Sequence, residues 1–473
     1  MQTFDAVVIG AGSGGLTAAR RLALAGKYTA LIEADRLGGD CLNWGCVPTK
    51  ALVATAKLRH QISRAGEFGL HTGDPTLDFP AVMARKAAVQ AEIGAEERRY
   101  YIAEPAVEVI HGTASFVDAH TIRVDQEELR FRWCIIATGS RPQLPAMPGL
   151  AETDCLTNVS ILQLDHLPAS LAVIGGGPIG CEFAQVFRRF GSHVTLLQRG
   201  ERLLPREEPE ASTLLAQVFE REGIAVRLGA GVQSAERRGD LHVLHAAVRG
   251  QDVTVEAEAV LVAAGRLPNV ETLNLEAASI RTNEHGIDVD AHMRTTAPDI
   301  WAIGDVAGGY KFTHVASDQG WIAAGRALGK RGSFRSRAVP WCTFTDPEVA
   351  RVGLTEAQAR RRYGDKVRVL LWPFRHVDRA LTLGEDEGFI KIVTAPGWMR
   401  GLAGGEVVGA QIVGPVAGEL ISELTLLMAN HLPLGLLARA IHVYPTLSLG
   451  VRQAAAQVWE AAPAQRTSKT GTL

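Results

Sequence analysis

The stretch DAVVIGAGSGGLTAARRLALAGKYTALIEAD, residues 5–35, decides the fold. It begins with an apolar strand, turns on three glycines, continues as a helix rich in alanine and leucine, and ends in a second apolar strand. The glycines are Gly10, Gly12 and Gly15. Such glycines allow a tight turn and let the backbone approach a pyrophosphate at the helix N-terminus. Glu33, 18 residues after Gly15, can bind ribose hydroxyls, so the stretch predicts a strand–helix–strand unit that binds a dinucleotide.

A second copy of this unit lies at LAVIGGGPIGCEFAQVFRRFGSHVTLLQRGERLLPREE, residues 171–208. Its glycines are Gly175, Gly177 and Gly180. The position 18 residues after Gly180 holds Gln198 rather than a carboxylate, and Arg199 and Arg202 follow. A carboxylate would bind a free 2′-hydroxyl and repel a 2′-phosphate, whereas a neutral side chain beside arginines accommodates the phosphate. The copy therefore predicts NADPH in preference to NADH; the alternative is that both arginines are solvated surface charges.

Each copy is followed by an apolar strand that closes on glycine. These strands are RWCIIATGSRP, which closes on Gly139, and EAVLVAAGRLPN, which closes on Gly265. A third strand, in DIWAIGDVAGGYKFTHVASDQGWIAAGRAL, reaches Gly304 and Asp305 before a helix, and this aspartate can bond a ribityl or ribose hydroxyl. The order of elements predicts an α/β fold with two Rossmann-like, doubly wound nucleotide-binding domains.

The pattern changes from residue 339 onward. Strands such as FIKIV and EVVGAQIVG precede a long amphipathic helix, AGELISELTLLMANHL, so we expect a C-terminal α+β domain without a nucleotide fingerprint. The predicted domains are residues 1–148 and 276–338 as two parts of the first nucleotide-binding domain, 149–275 as the second, and 339–462 as the C-terminal domain. The small, polar residues 463–473 are predicted to be a disordered tail.

The composition excludes several classes of protein. The 473 residues are too many for one core, and the net charge of −2 gives no electrostatic case for binding nucleic acid. There is no apolar run of about 18 residues and the N-terminus enters a strand pattern directly, so we expect no membrane span, no signal peptide and a cytoplasmic location. Six cysteines are too few for a disulfide scaffold. Four are predicted to be buried packing residues: Cys134, Cys155, Cys181 and Cys342.

The other two cysteines, Cys41 and Cys46, lie in GGDCLNWGCVPTK, residues 38–50. They could form a metal clamp, a structural staple or a redox centre. Zinc usually needs four ligands in paired short spacings, which this sequence lacks, and a cytoplasmic staple is disfavoured. We therefore expect no metal site and favour a redox pair. In an ideal helix the two Cα atoms would lie beyond the disulfide limit of about 7 Å, so the helix must deform, which Gly45 and Pro48 permit.

The electrostatics of this segment favours a thiolate. A helix start near Cys46 would stabilise negative charge on its sulfur. Lys50 lies one turn beyond Cys46 and can stay near that thiolate or near another charged group. The alternative is that Lys50 is a solvent-facing lysine.

The segment GGDCLNWGCVPTK, together with the two dinucleotide fingerprints, ATGS and AIGD, resembles the flavoprotein disulfide reductases, the group that contains dihydrolipoamide dehydrogenase, glutathione reductase and mercuric reductase. The resemblance covers nearly the whole chain. It implies that the first fingerprint binds FAD, the second binds the nicotinamide nucleotide, and the C-terminal domain forms a homodimer. It also implies that Cys46 is a charge-transfer thiolate, that Cys41 exchanges with substrate, and that Glu182 pairs with Lys50 near the flavin. Electrons would pass from NADPH through the flavin to the Cys41–Cys46 disulfide.

The C-terminal stretch HVYPTLSLG, residues 442–450, departs from the pattern of that group. Members that reduce disulfides carry His-Pro-Thr-x-x-Glu, in which the histidine shuttles the thiol proton and the glutamate orients it. Tyr444 and Leu449 stand at those two positions here. Tyrosine, with a reference pKa of about 10, is a poor proton shuttle at neutral pH. His442 could substitute, but we expect it to be a structural or interfacial histidine.

Tyrosine at this position resembles mercuric reductase, where the acceptor is a metal ion that needs no thiol proton. We therefore expect an enzyme that passes electrons from NADPH through FAD and the dithiol to a metal ion or another small-molecule acceptor. No vicinal cysteine pair stands near the C-terminus, which disfavours mercury itself as the natural acceptor. The alternatives are dihydrolipoamide dehydrogenase or another small-disulfide reductase, a transhydrogenase-like flavoenzyme, and a non-enzymatic protein that keeps the fold.

Overall fold

The computed structural model describes residues 2–73, 75–102, 105–396 and 404–459. The chain forms two compact units, of which the first comprises Met1–Leu204 and Ala216–Arg335, and the second Pro205–Leu215 and Ser336–Leu473. The domain boundaries given above stay predictions, and the predicted tail, 463–473, lies outside the described residues. In the described part of the chain, no helix is both long enough and apolar enough to cross a membrane.

The helices and strands follow the order that the sequence predicts. The helices are α1 (Ser13–Leu24), α2 (Gly39–Asn43), α3 (Cys46–Ser63), α4 (Phe79–Ile102), α5 (Pro178–Phe190), α6 (Pro209–Arg221), α7 (Thr313–Ala327), α8 (Glu356–Tyr363), α9 (Asp378–Leu383), α10 (Ala417–Ala429), α11 (Gly435–Arg439) and α12 (Ser448–Ala456). The strands of the first unit are β1 (Gln2–Ile9), β2 (Thr29–Glu33), β3 (Val107–His111), β4 (Ala114–Asp118), β5 (Thr121–Val124), β6 (Glu127–Ile136), β7 (Ser140–Pro142), β8 (Ser170–Ile174), β9 (His193–Gln198), β10 (Ala225–Leu228), β11 (Ala230–Arg238), β12 (Leu241–Val248), β13 (Gln251–Ala257), β14 (Ala259–Val262), β15 (Arg266–Pro268), β16 (Thr282–Asn283), β17 (Gly286–Ile287) and β18 (Ile300–Ala302). The strands of the second unit are β19 (Pro340–Thr343), β20 (Glu348–Gly353), β21 (Arg368–Pro373), β22 (Phe389–Ala395) and β23 (Glu406–Gly414).

The first sheet has the strand order β3-β2-β1-β6-β5-β4, and β18 also pairs with β6. The pairs from β3 to β6 are parallel, as is the β18–β6 pair. Helices cover both faces of such a sheet, so its strands read as continuous apolar runs. In β1 the side chains alternate between two cores: Val7 and Ile9 belong to one cluster, and Ala6 and Val8 to the other.

The second fingerprint lies in a parallel sheet of the order β10-β9-β8-β14. Its central strands repeat the arrangement of β1 and β2, since β8 enters the glycine turn and β9 ends at Gln198. An antiparallel meander, β11-β12-β13, belongs to the same half of the unit. Two parallel sheets, each with a glycine turn between its first strand and the following helix, confirm the predicted doubly wound α/β class.

The second unit is built on an antiparallel sheet of the order β19-β20-β23-β22-β21. The predicted amphipathic helix is α10, whose apolar face contributes Leu420, Leu424 and Met428 to the core beneath this sheet. The predicted C-terminal α+β arrangement is therefore confirmed.

The prediction for the four packing cysteines was half right. Cys134, on the central strand β6, and Cys181, in the first turn of α5, are fully buried, and burial raises the pKa of both thiols. Cys155 and Cys342 are only partly buried, so the prediction was wrong for them. Cys155 lies in an irregular segment before β8 and Cys342 on the edge strand β19, places that leave part of a side chain in contact with solvent.

Candidate redox site

The outer glycines of both fingerprints are required by the backbone itself. The first glycine of each has a positive φ, +101° at Gly10 and +117° at Gly175. The third glycine packs against the first: a Cβ at Gly15 would lie 1.8 Å from the carbonyl oxygen of Gly10, and a Cβ at Gly180 would lie 1.9 Å from that of Gly175. No side chain fits at either third position.

The middle glycines serve a different purpose. A Cβ at Gly177 would meet no described protein atom within 4 Å, and one at Gly12 would meet only the Cα of Gly39, at 3.8 Å. Helices α1 and α5 begin directly after these two glycines, and neither has a side-chain cap in the described residues. The first N–H groups of each helix are therefore available to an anion. Open space and uncapped N–H groups at the same turn fit the pyrophosphate of a dinucleotide.

Glu33 and Gln198 occupy equivalent places in the two dinucleotide fingerprints. Glu33 accepts hydrogen bonds from the backbone N–H of Ala11, at 2.7 Å, and of Asp35, at 2.9 Å. Gln198 Oε1 accepts from the N–H of Gly176 at 2.9 Å. Ala11 and Gly176 each stand between the first and second glycine of their fingerprint. The equivalent backbone donor therefore faces a carboxylate in the first fingerprint and a neutral carboxamide in the second fingerprint.

Two arginines follow Gln198. Its Nε2 donates to the carbonyl of Arg202 at 3.2 Å, which holds that residue close to the end of β9. Arg199 is exposed and Arg202 is half-buried. Within the described ranges, neither guanidinium forms an ion pair with a carboxylate of the chain. Both positive charges therefore stand beside a position that lacks a negative one.

The predicted deformation of the cysteine segment takes the form of a break between two helices. Helix α2 ends at Asn43, Trp44 and Gly45 leave the helical conformation, and α3 begins at Cys46. The carbonyl of Trp44, which the proline at position 48 cannot satisfy, instead accepts a hydrogen bond from Asn158 Nδ2 at 2.8 Å. The break places one cysteine in α2 and the other at the first residue of α3.

Cys46 lies where a thiolate is stabilised. Its sulfur is 3.4 Å from Thr313 Oγ1, and it stands at the positive end of the helix dipole of α3. A hydrogen bond from Cys41 lowers the pKa of Cys46 to about 6, with help from Thr313 and the charge of Lys50 and against burial and the charge of Glu182. The same hydrogen bond, together with burial, raises the pKa of Cys41. At neutral pH the reduced pair is therefore a thiolate at Cys46 and a thiol at Cys41.

Lys50 and Glu182 form an ion pair across the first unit. Lys50 Nζ lies 2.8 Å from Glu182 Oε2 and 3.1 Å from Oε1. The glutamate side chain is 5% exposed and the lysine 34% exposed. The lysine is one turn into α3 and the glutamate is the fifth residue of α5, so the pair connects the cysteine helix with the helix of the second fingerprint.

The three strands that end in a glycine bring the residues next to those glycines into contact with one another. Positive φ angles occur at all three predicted glycines: Gly139, Gly265 and Gly304. Ser140 Oγ donates to Asp305 Oδ2 at 2.5 Å and accepts from Arg266 Nε at 2.8 Å. Ser140 and Arg266 lie at opposite ends of the short antiparallel pair β7–β15, and the arginine side chain reaches diagonally across it. Asp305 is therefore oriented by side chains that directly follow two of the glycines.

Four residues of this site were missed from the sequence: Ser140, Arg266, Thr313 and Asn158. The first two had a signal, because each follows a predicted glycine directly. Thr313 had none, because it begins α7, 267 positions away from the cysteine that it contacts. Nor did Asn158, which lies 114 positions from Trp44.

The comparisons with known proteins agree with this geometry. Residues 4–320 match the model of the pyridine nucleotide-disulphide oxidoreductases, and residues 339–455 match the dimerisation domain of the same family. The chain belongs to the pyridine nucleotide-disulphide oxidoreductase family. Members of this family are enzymes that use FAD and a pyridine nucleotide, and the dimerisation domain supports a homodimer.

Relatives of this oxidoreductase carry two different names. It is 38% identical over 453 residues to a dihydrolipoyl dehydrogenase of Chlamydia muridarum, covering 94% of this chain and 95% of the relative. It is 34% identical over 453 residues to a mercuric reductase of Bacillus cereus, covering 95% of this chain and 71% of the relative. A solved structure, the Cu(II) complex of the HOCl-induced flavoprotein disulfide reductase RclA from Escherichia coli, has a TM-score of 0.86 and 31% identity, covering 97% of this chain and 100% of that one.

In the C-terminal segment of this oxidoreductase, the side chain of Tyr444 is exposed to solvent. Tyr444 is 68% exposed, and its hydroxyl donates to Asp378 Oδ2 at 2.9 Å. The hydrogen bond to this carboxylate raises the pKa of Tyr444. The phenol therefore stays protonated at neutral pH and is a hydrogen-bond donor, not a base. Leu449, in α12, has no group that could orient a proton shuttle.

His442 is engaged within its own unit. Its Nε2 lies 3.0 Å from Glu423 Oε2 and its Nδ1 lies 3.2 Å from the carbonyl oxygen of Ala440. The imidazole is 8% exposed. Both ring nitrogens have partners, which agrees with the structural role expected from the sequence. Among the residues that the structure describes, no group of three or more His, Cys, Asp or Glu side chains is placed to hold a metal ion.

Proposed function

We propose that this oxidoreductase is a cytoplasmic homodimer that takes electrons from NADPH, passes them through FAD to the Cys41–Cys46 pair, and delivers them to a metal ion or another acceptor that needs no proton from a histidine. The observation that carries the proposal is the environment of Cys46. Its sulfur stands at the start of α3, contacts Thr313 and has a pKa lowered to about 6 by Cys41. A cysteine placed in this way is a redox group and not a packing residue.

Residues of the two fingerprints would hold the two cofactors. Gly12, Glu33 and Asp305 stand where FAD would be bound by its pyrophosphate and hydroxyls. Gly177, with Arg199 and Arg202, would bind the nicotinamide nucleotide. The flavin, when bound, supplies the transfer of two electrons between the nicotinamide and the disulfide.

The chemistry of the chain itself is the opening and closing of the disulfide. Two electrons break the bond between the two sulfurs and leave a thiolate at Cys46 and, after uptake of one proton, a thiol at Cys41. Their pKa values, lowered at Cys46 and raised at Cys41, favour this distribution of the proton. Lys50, paired with Glu182, lies one turn from the thiolate and adds a positive charge on its side.

The C-terminal segment supports a metal ion as the acceptor. A disulfide acceptor requires a proton at the leaving thiol, for which histidine is suited. Tyr444 is held protonated by Asp378, and both ring nitrogens of His442 already face acceptors, Glu423 and the carbonyl of Ala440. Neither side chain therefore has a free atom placed to act as a base. A soft metal ion binds thiolates directly. Two Cu(II) ions, or one Hg(II) ion, would accept the two electrons while the pair returns to the disulfide and Cys41 releases its proton.

Two relatives support this class of acceptor by name. One is a mercuric reductase, and one solved structure is a Cu(II) complex of a flavoprotein disulfide reductase. The second candidate function is dihydrolipoyl dehydrogenase, which the name of a relative 38% identical over 94% of this chain favours. A transhydrogenase-like activity would not need the cysteine pair.

The choice between acceptors is open to a direct experiment. The holoenzyme is reduced anaerobically with NADPH, and Cu(II), Hg(II), lipoamide, glutathione disulfide or a quinone is then added in separate runs while the flavin absorbance is followed. We expect fast reoxidation by metal ions in the wild type and in Cys342→Ser, a matched control for a partly buried cysteine outside the pair, and loss of this phase in Cys41→Ser and Cys46→Ser. Rapid turnover with lipoamide and NAD⁺ would instead establish the second candidate.

A further inference from the structure

A carboxylate stands directly before the first redox cysteine. Asp40 is the second residue of α2, and its Oδ2 lies 3.2 Å from Arg266 Nη2. A Cβ built on Gly45 would lie 3.2 Å from the same oxygen. The carboxylate therefore lies against the break between α2 and α3, one residue from Cys41 and next to the residue that precedes Cys46.

The Arg266 side chain is held by Ser140 as well as by Asp40. Its Nε donates to Ser140 Oγ and its Nη2 donates to the carbonyl of Ser140, both at 2.8 Å. Nε also lies 3.9 Å from Asp305 Oδ2, and the side chain is 14% exposed. The guanidinium is thus one positive charge held between two carboxylates, one beside the cysteine pair and one beside the predicted flavin site.

Asn158 contacts the same break between α2 and α3. Its Nδ2 donates to the carbonyl of Trp44 at 2.8 Å, and its side chain also hydrogen-bonds Asp40. The asparagine is 6% exposed. Burial raises the pKa of Asp40, and the charge of Arg266 opposes that effect, so the arginine helps to keep the carboxylate charged. The Asp40 carboxylate is therefore held in place from two directions.

We propose that Asp40 and Arg266 are a positioning pair that sets the thiol–disulfide equilibrium of Cys41 and Cys46 by balancing one negative and one positive charge beside the cysteines. This proposal rests on the redox function proposed above for Cys41 and Cys46. Reduction at neutral pH creates a thiolate at Cys46, so a negative charge develops one residue beyond Gly45, against which the Asp40 carboxylate lies. A nearby negative charge disfavours this charge and a nearby positive charge favours it.

The two single charge removals therefore act in opposite directions. Asp40→Asn leaves the positive charge of Arg266 less neutralised, stabilises the reduced couple and raises its potential. Arg266→Gln leaves the carboxylate without its cation, destabilises the reduced couple and lowers the potential. The double variant restores the balance. We expect each single variant to change the equilibrium constant about threefold to tenfold, or about 14 to 30 mV for a two-electron couple.

The experiment measures the couple without relying on turnover. The holoenzyme and its variants are equilibrated at pH 7 in dithiothreitol buffers of stepped potential, free thiols are trapped, and the Cys41–Cys46 peptide is quantified by mass spectrometry. Arg266→Lys keeps the charge and should stay near the wild-type potential. Glu271→Gln is the matched control, because it removes the partner of Arg141 in an exposed pair on the neighbouring strand β7.

The outcomes separate the two proposals. Shifts of opposite sign in the single variants, with recovery in the double variant and none in Glu271→Gln, support the positioning pair. Shifts in the same direction, which general damage to the fold would produce, or no shifts at all overturn it. If Cys41 and Cys46 do not interconvert between dithiol and disulfide in any buffer, the proposed function falls as well; if they do interconvert at unchanged potentials, only the positioning pair falls.

Discussion

The two strand–helix–strand units of this chain have the same backbone and different chemistry. In both, the first and third glycines are packed so closely that no side chain fits, and the middle glycine faces open space. In both, a backbone N–H between the glycines meets the side chain at the end of the next strand. That side chain is a carboxylate in the first unit, Glu33, and a carboxamide in the second, Gln198.

The difference indicates that the geometry of the turn and the proposed specificity for the coenzyme depend on different residues. The glycines fix the turn, and their packing is nearly the same in the two units. We propose that one side chain, with the arginines beside it, distinguishes a free ribose 2′-hydroxyl from a 2′-phosphate. The continuation of the chain also differs, since the first unit leads into the cysteine pair, and the second contains a cysteine, Cys181, that is buried in α5.

The largest effect is expected from the third glycines. Gly15→Ala and Gly180→Ala each place a Cβ less than 2 Å from a backbone carbonyl oxygen. The turn must open to accept it, so the free energy of unfolding should fall by about 3 kcal/mol or more in either unit. Urea unfolding followed by circular dichroism measures this loss.

The middle glycines are the matched controls. Gly12→Ala and Gly177→Ala meet almost no protein atom, so the free energy of unfolding should stay within about 0.5 kcal/mol of the wild type. Their effect should appear as weaker binding of FAD and of the nicotinamide nucleotide, respectively. Equal destabilisation by all four substitutions would contradict the separation of packing and binding positions.

An intermediate effect is expected from Gln198→Glu, which gives the second unit the side chain of the first. The new carboxylate would repel a 2′-phosphate and bind a free 2′-hydroxyl, so the ratio of kcat/KM for NADPH to that for NADH should fall about tenfold or more. Steady-state kinetics with both coenzymes measures the ratio. Glu33→Gln makes the reverse exchange in the first unit and should leave the ratio unchanged; an unchanged ratio in Gln198→Glu would show that the arginines are only surface charges.

The smallest effect concerns the cysteine that sets the first unit apart. Thr313→Val removes a hydrogen bond to the Cys46 sulfur and should raise its pKa by about half a unit. The rate of alkylation of Cys46 as a function of pH reports this value. Thr55→Val, which removes a hydroxyl from the same helix but far from the sulfur, is the control. Identical profiles in the two variants would exclude Thr313 from the stabilisation of the thiolate.

The sequence alone predicts the parts of this enzyme that depend on local pattern. The glycine turns and the break between Cys41 and Cys46 follow from steric rules that act within a few residues. Contacts between distant segments do not follow from such rules. Thr313 is 267 positions from Cys46, and Asn158 is 114 positions from the carbonyl that it satisfies at Trp44. The ion pair of Lys50 with Glu182 spans 132 positions and was expected only from the resemblance to a known family.

The central claim is that Cys46 is a thiolate beside the flavin when the pair is reduced. The most direct measurement is the long-wavelength absorbance of the holoenzyme after anaerobic reduction with one equivalent of NADPH, followed from pH 8 to pH 5. Because the pKa of Cys46 is lowered to about 6, the charge-transfer band should be present at pH 8 and disappear with a midpoint near pH 6. It should be absent from Cys46→Ser at every pH. A band that persists in Cys46→Ser, or a wild-type enzyme that forms none above pH 7, would contradict the account.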